Sequence, residues 1–190
     1  DQVLCWGQNN GGQLGLGNGL TPVAAADSSP INLGGSATAI SSGRMHTCAL
    51  LSTGAVKCWG YNNYGQLGLG DTENVGDNEA PAAVGTVNLG AGRTATAIAS
   101  GYEHSCAILD NGALRCWGRN DSGQLGLGNT NTLGDNEAVS SVAPVDLGAG
   151  RTAVSVSLGY DTTCVVLDNG ATRCWGSNHI AQLGLGGEVT

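Results

Sequence analysis

Apolar residues along this chain come in short clusters, each cut off by glycine or other turn residues. One set is ATAISSG (37–43), HTCALLS (46–52) and AVKCWG (55–60). The clusters have the length of strands, and their boundaries carry turn chemistry. Between the second and third lies Ser52-Thr53-Gly54, matched downstream by Asp110-Asn111-Gly112 and Asp168-Asn169-Gly170. A three-residue hairpin loop with glycine at the left-handed position suits all three. The pattern predicts an all-β chain of antiparallel hairpins.

One phrase then recurs four times: CWGQNNGGQLGLG (5–17), CWGYNNYGQLGLG (58–70), CWGRNDSGQLGLG (116–128) and CWGSNHIAQLGLG (174–186). Its tryptophans, Trp6, Trp59, Trp117 and Trp175, are separated by 53 (59 − 6), 58 (117 − 59) and 58 (175 − 117) residues. Self-similarity at such a period means stacked supersecondary units that share one core, here a single repeat domain over residues 1–190. In each phrase the glycines reverse the chain, two leucines are placed for burial, and the Asn and Gln amides can satisfy backbone groups stranded in the turn. A phosphate-binding loop is excluded, because GLGNG lacks the Gly-Lys-Ser/Thr ending. A dinucleotide site would need a following helix, which the phrase does not predict.

The hairpin loop fixes a register in which Leu50 faces Val56 and Cys48 faces Cys58. The same offset sets Cys106 against Cys116 and Cys164 against Cys174. Directly opposed Cβ atoms in an antiparallel pair approach disulfide geometry. The expectation is three disulfides, the alternative being six buried thiols that pack as small hydrophobes. Zinc would need four ligands in one place, and these pairs fall in different repeats. Redox catalysis would call for a C-x-x-C motif, which is absent. Disulfides imply an oxidising compartment, so a secreted or cell-surface protein is expected. Cys5 aligns with the second cysteine of each pair, and its partner would lie ten residues upstream of it, ahead of Asp1. It is free, joined to another chain, or separated from its partner by truncation, the last being the expectation.

Composition narrows the function. With 7 Lys+Arg, 15 Asp+Glu and a net charge of −8, the chain lacks the basic stripe that nucleic acid or an anionic membrane surface calls for. No apolar run approaches a membrane span, and Asp1-Gln2-Val3-Leu4 shows no signal-peptide pattern, so a soluble chain, mature or excerpted, is expected. No nucleophile stands beside a base, so no catalytic, cofactor or metal residue is assigned and the chain reads as a non-enzyme.

GRMHTCALLSTGAVKCWGYNNYGQLGLG (43–70), GYEHSCAILDNGALRCWGRNDSGQLGLG (101–128) and GYDTTCVVLDNGATRCWGSNHIAQLGLG (159–186) resemble the repeat of the regulator of chromosome condensation (RCC1-like) family. The resemblance covers nearly the whole chain and implies a β-propeller in which each repeat gives one four-stranded blade, usually seven to a closed ring. This chain then makes an open arc of about three to four blades with short disulfide-linked hairpins. Propellers of this type serve as exchange factors, inhibitors and interaction scaffolds, so the fold alone does not choose among them.

Differences between repeats are the places to look for function. The connections 70–94 and 128–152 carry a Gly-Asp-Asn-Glu element that 17–38 lacks. Asp71, Asp77, Asn78 and Glu79, with Asp135, Asn136 and Glu137, are oxygen donors of the kind calcium uses, although the spacing is not that of an EF-hand. A solvated loop is the preferred reading. His46 and His104 share a repeat position that Thr162 fills in the third copy, which suits structural packing better than a catalytic base. His179 and Ala181 depart from the earlier phrases, and Ala181 replaces glycine, so an altered turn is expected there. Asn120-Asp121-Ser122 is a glycosylation sequon in one phrase only.

An open arc leaves strand edges unpaired at its ends, which invites other copies or further blades. The leading strand, residues 1–7, is a candidate to complete a terminal blade. The expected role is an extracellular protein-interaction or self-assembling structural repeat protein, partnered by another protein or by further copies of itself. A recognition or inhibitor module binding one protein through its loop face is the alternative, and a guanine-nucleotide exchange factor the lesser one.

Overall fold

The computed structural model describes residues 2–17, 19 and 21–185. Nine strands follow in order: β1 (Ala37–Ser42), β2 (His46–Leu51), β3 (Val56–Gly60), β4 (Ala95–Ser100), β5 (His104–Leu109), β6 (Leu114–Gly118), β7 (Ala153–Leu158), β8 (Thr162–Leu167) and β9 (Thr172–Gly176). They form three antiparallel sheets, β1-β2-β3, β4-β5-β6 and β7-β8-β9. The sheets converge along their first strands, β1 beside β4 and β4 beside β7, and fan out towards the third. This is an arc of three propeller blades.

The hairpin register is the one the loop predicts. Leu50 faces Val56 and Cys48 faces Cys58, with the same offset in the other sheets. Gly54, Gly112 and Gly170 have φ of +79°, +76° and +81°, the left-handed values that close the three-residue loop. Disulfides join Cys48 to Cys58, Cys106 to Cys116 and Cys164 to Cys174, with Cα atoms 4.0, 4.0 and 4.1 Å apart. Cys5 is unpaired.

The four-stranded blade implied by the resemblance is not formed as a regular ladder. Its outer position is filled by the connection leaving each phrase, which touches the third strand at two points. Val75 bridges Gly60 and the Val87 N–H donates to Val56 O at 2.9 Å; Leu133 bridges Gly118 and the Val145 N–H donates to Leu114 O at 2.9 Å. Glycines and the 3-10 turns Pro81–Ala83 and Val139–Ser141 between these points prevent a continuous strand. Among the described residues Val3 and Gly7 likewise pair with their own connection alone, through Ile31 and Val23.

Blades lock together through the phrase. The carbonyl of Gln66 accepts the Trp117 indole N–H and the Ser105 hydroxyl of the next blade, both at 3.0 Å. Gln124 does the same for Trp175 at 3.0 Å and Thr163 at 2.7 Å, and Gln13 for Trp59 at 3.0 Å. Across the same seams His46 Nε2 meets Ser105 Oγ at 2.9 Å and His104 Nε2 meets Thr163 Oγ1 at 3.1 Å. Burial with no compensating anion holds both imidazoles neutral, with pKa values lowered to about 3 and about 4. Gly101 makes room for this lock, because a Cβ there would lie 2.6 Å from His104 Cε1 and 2.7 Å from Gly159 O.

Candidate functional site

The first turn of each sheet, 43–45, 101–103 and 159–161, emerges on one end of the arc, opposite the Gly54, Gly112 and Gly170 hairpins. Each begins with a glycine packed on the blade seam, so the next two side chains project at equivalent positions: Arg44, Tyr102 and Tyr160, then Met45, Glu103 and Asp161. The first row stacks. The Arg44 guanidinium lies 4.5 Å from the Tyr102 ring centroid, and the Tyr102 and Tyr160 rings are stacked at 3.7 Å. Tyr160 is 59 % exposed, so an aromatic face is open to a partner.

Glu103 anchors the second row. Its carboxylate is nearly buried and accepts from Arg44 and Arg119, each at 3.1 Å. Arg119 enters from the residue after Gly118, where its own N–H donates to Glu103 O. The same guanidinium donates to Asp121 at 2.8 Å and lies 5.3 Å from the Tyr64 ring. The Asp121 hydrogen bond raises the Arg119 pKa further, so this cation is permanent. The result is a platform of aromatic rings and guanidinium planes fixed from below by one carboxylate. Such groups offer large contact area at little entropic cost and are enriched at binding hot spots.

Apart from Asp121, which the sequence marked only as the middle of the sequon, none of these residues is among those singled out from the sequence. A signal was present, since 44, 102 and 160 are the same position 58 residues apart (102 − 44 and 160 − 102), variable inside a repeated Gly-x-x-His/Thr frame. The acidic connections, where repeat differences pointed, form a clasp instead. Gly76 O accepts the Gly17 N–H at 3.0 Å, Asp77 O the Gly19 N–H at 3.0 Å, and Gly134 O the Gly70 N–H at 3.1 Å. Each Gly-Asp-Asn-Glu element therefore docks on the phrase of the preceding unit. Glu79 and Glu137 accept the N–H of Gly76 and Gly134 at 3.2 and 3.0 Å, closing their own loops. Among the described residues no three His, Cys, Asp or Glu side chains form a metal-holding group.

The remaining sequence candidates are also placed. Asn120 of the sequon is wholly buried, donating to Asn129 O and Asn131 O and accepting from Leu125, which leaves the folded chain no room for a glycan there. Ala181 does not alter its turn. It takes φ +58°, and Asn178 O accepts its N–H just as Asn62 O accepts that of Gly65. His179 Nδ1 meets Ser177 Oγ at 2.7 Å, and among the described residues no carboxylate bonds the ring to make a catalytic relay. Cys5 lies half-buried beside Leu4 and Trp6 in a groove that also includes Ile40, and burial pushes its thiol pKa up.

The sequence pattern of the regulator of chromosome condensation (RCC1) repeat matches residues 1–50, 53–108 and 111–166. A shorter form of the same repeat matches 37–66 and 95–124. The chain is 32 % identical over 189 residues to a probable human E3 ubiquitin-protein ligase, HERC6, covering 96 % of this chain and 17 % of that protein. It is 31 % identical over 195 residues to the ultraviolet-B receptor UVR8 of Arabidopsis thaliana, covering 99 % and 40 %. Yeast RCC1 (Prp20), solved bound to Kap60, superposes with a TM-score of 0.75 at 27 % identity over 98 % of this chain and 42 % of that one. The chain thus spans less than half the length of each of these proteins. With that repeat pattern matched over most of its length, on three blades that each carry the recurring Trp-Gly phrase, the chain belongs to the RCC1 repeat family.

Proposed function

We propose that this chain works by binding another protein, through the turn face built from Arg44, Tyr102 and Tyr160 over Glu103. The observation that carries the reading is the exposed, pre-stacked row itself. Three blades bring equivalent residues into contact, and two salt bridges hold them in place before any partner arrives. Pre-organised aromatic and arginine side chains lose little entropy on binding. The relative crystallised with Kap60 supports protein binding as a use of this fold. The role is binding rather than chemistry, and the compartment is oxidising, either secreted or cell-surface. Three hairpin disulfides support that placement.

A photo-cross-linking residue at position 160 tests the proposal in an extract of the source organism. The expected product is a discrete cross-linked protein that disappears when Arg44→Glu and Glu103→Arg are introduced together. The same product from a probe at Asn169, on the opposite end, would refute it.

A further inference from the structure

Two of the phrases carry a buried glutamine, Gln66 and Gln124, and the two amides are not equally satisfied. Gln124 has a partner at each end: its Oε1 accepts the Ser122 N–H at 2.9 Å, and its Nε2 donates to Asp161 Oδ1 at 3.1 Å. Gln66 begins in the same way, because its Oε1 accepts the Tyr64 N–H at 2.9 Å and so fixes the orientation of the amide. Its Nε2 then has no partner among the described residues, although Gln66 is only 1 % exposed. A buried donor left without an acceptor is costly.

The acceptor in the equivalent place is Glu103, the counterpart of Asp161. Their backbones are held alike, since the Arg119 N–H donates to Glu103 O at 2.9 Å and the Ser177 N–H to Asp161 O at 2.8 Å. Glu103 and Gln66 also pack on one glycine: a Cβ on Gly118 would lie 2.6 Å from Glu103 O and 3.2 Å from Gln66 Cα. Glutamate is one methylene longer than aspartate, so reach does not keep the two apart. Arg44 and Arg119 do, each bonding one Glu103 oxygen at 3.1 Å. Around Asp161 those two positions hold Tyr102 and Ser177, which leaves its carboxylate to Gln124. Gln66, Glu103, Arg44 and Arg119 all lie at the seam between the first two sheets.

We infer that Arg44 and Arg119 are a receptor for a carboxylate of the partner, an aspartate or glutamate in an acidic segment, and that Glu103 is its exchangeable occupant. The inference rests on the reading that this turn face binds a protein. When the partner's carboxylate takes the two guanidiniums, Glu103 turns onto Gln66 Nε2, the position Asp161 holds on Gln124. The exchange leaves nothing unpaired. Both guanidiniums keep an anion, and the buried amide gains the acceptor it lacks. Arg44 is equipped for a two-pronged grip, because its Nε and Nη2 make no hydrogen bond among the described residues. The Glu103 side chain is 8 % exposed against 25 % for Arg119, so an incoming acid meets the cation first.

The test uses the whole chain and a fluorescent hexaglutamate peptide, with hexaglutamine as control, read by fluorescence anisotropy. The net charge of −8 repels a polyanion, so binding reports the local arginine pair. Hexaglutamate should bind saturably and hexaglutamine should not. In NMR spectra of the unaltered chain, the Gln66 side-chain amide protons should move downfield on binding, as an acceptor arrives. Gln66→Leu should weaken binding about tenfold, the loss expected for a hydrogen bond to a charged group, and should change nothing in a Glu103→Gln chain. Absence of hexaglutamate binding while the cross-link from position 160 still forms would overturn the inference and leave protein binding by this face standing. Loss of the cross-link as well would overturn both. Binding with an unmoved Gln66 amide, or an equal effect of Gln66→Leu in the two backgrounds, would also overturn the inference.

Discussion

The middle blade and the last one have nearly the same sequence and very different surroundings. In β5 all six residues, His104–Leu109, are buried, whereas β8 alternates between buried and accessible positions. Trp117 is fully buried and its counterpart Trp175 is not. The difference is not in the strands, because both sheets share register, hairpin and disulfide. It comes from what covers them. A repeat cannot bury both faces by itself; the middle blade is closed by a neighbour on each side and by the connection that wraps its outer edge. The phrase and the acidic connection are therefore two halves of one clasp.

Acidification should break the comparison most strongly. His46 and His104 lock the two internal seams, and their folded pKa values of about 3 and about 4 lie below the ordinary 6.5. Unfolding therefore takes up protons once the pH falls below 6.5, so stability is full above that value and is lost progressively towards pH 4. Each imidazole removes about 1.4 kcal/mol for every pH step of one below 6.5, so the two together cost several kcal/mol by pH 5. Thermal melts across this range measure it, and the two imidazole resonances should stay unmoved in NMR spectra between pH 7 and pH 5.

Gly65→Ala against Gly123→Ala is the next most severe contrast. Both positions have left-handed φ, +67° and +73°, but only at Gly65 does the added Cβ strike the backbone of the docked connection. Overpacking plus the backbone penalty should cost about 3–4 kcal/mol at Gly65 and about 1 kcal/mol at Gly123. Denaturant titration separates them. A similar cost at both sites would mean that the connection does not dock as a clasp.

Removing the Cys106–Cys116 bridge by paired alanines should cost about 2–3 kcal/mol, as for other short loops. The Cys164–Cys174 bridge closes a loop of the same size in a less buried setting, so its removal should cost less. The ratio of the two losses, read from melts, reports how much the surrounding blades add to the chain-entropy effect. The smallest expected change is a gain: Ala181→Gly relieves a left-handed alanine at φ +58° and should stabilise the chain by about 1 kcal/mol.

Much of this fold is visible in the sequence, because the repeat writes each rule three or four times. Turn triplets such as Asp110-Asn111-Gly112 set the hairpin register, and the register alone brings Cys106 to Cys116. Contacts between repeats are not readable in that way. Nothing in the order of residues says that Gly134–Asp135 will lie on Gly65, since that depends on the angle at which one sheet packs on the next. The fourth strand fails for a related reason. It is implied by the family but replaced here by a glycine-interrupted connection touching β6 at only two points. The Arg44–Tyr102–Tyr160 row is intermediate: its spacing of 58 is plain, while its stacking requires adjacent blades to present the same turn on the same face. Ala181 shows the limit of reading one position alone, since alanine adopts the left-handed turn at φ +58° that glycine takes in the other phrases.

Hydrogen exchange resolved by strand tests the clasp most directly, because it reads the opening free energy of each blade within one molecule. Strong protection of β5 and β6 and faster exchange in β8 and β9 are the predicted result. Equal protection of the middle blade and of the β7-β8-β9 sheet would contradict it.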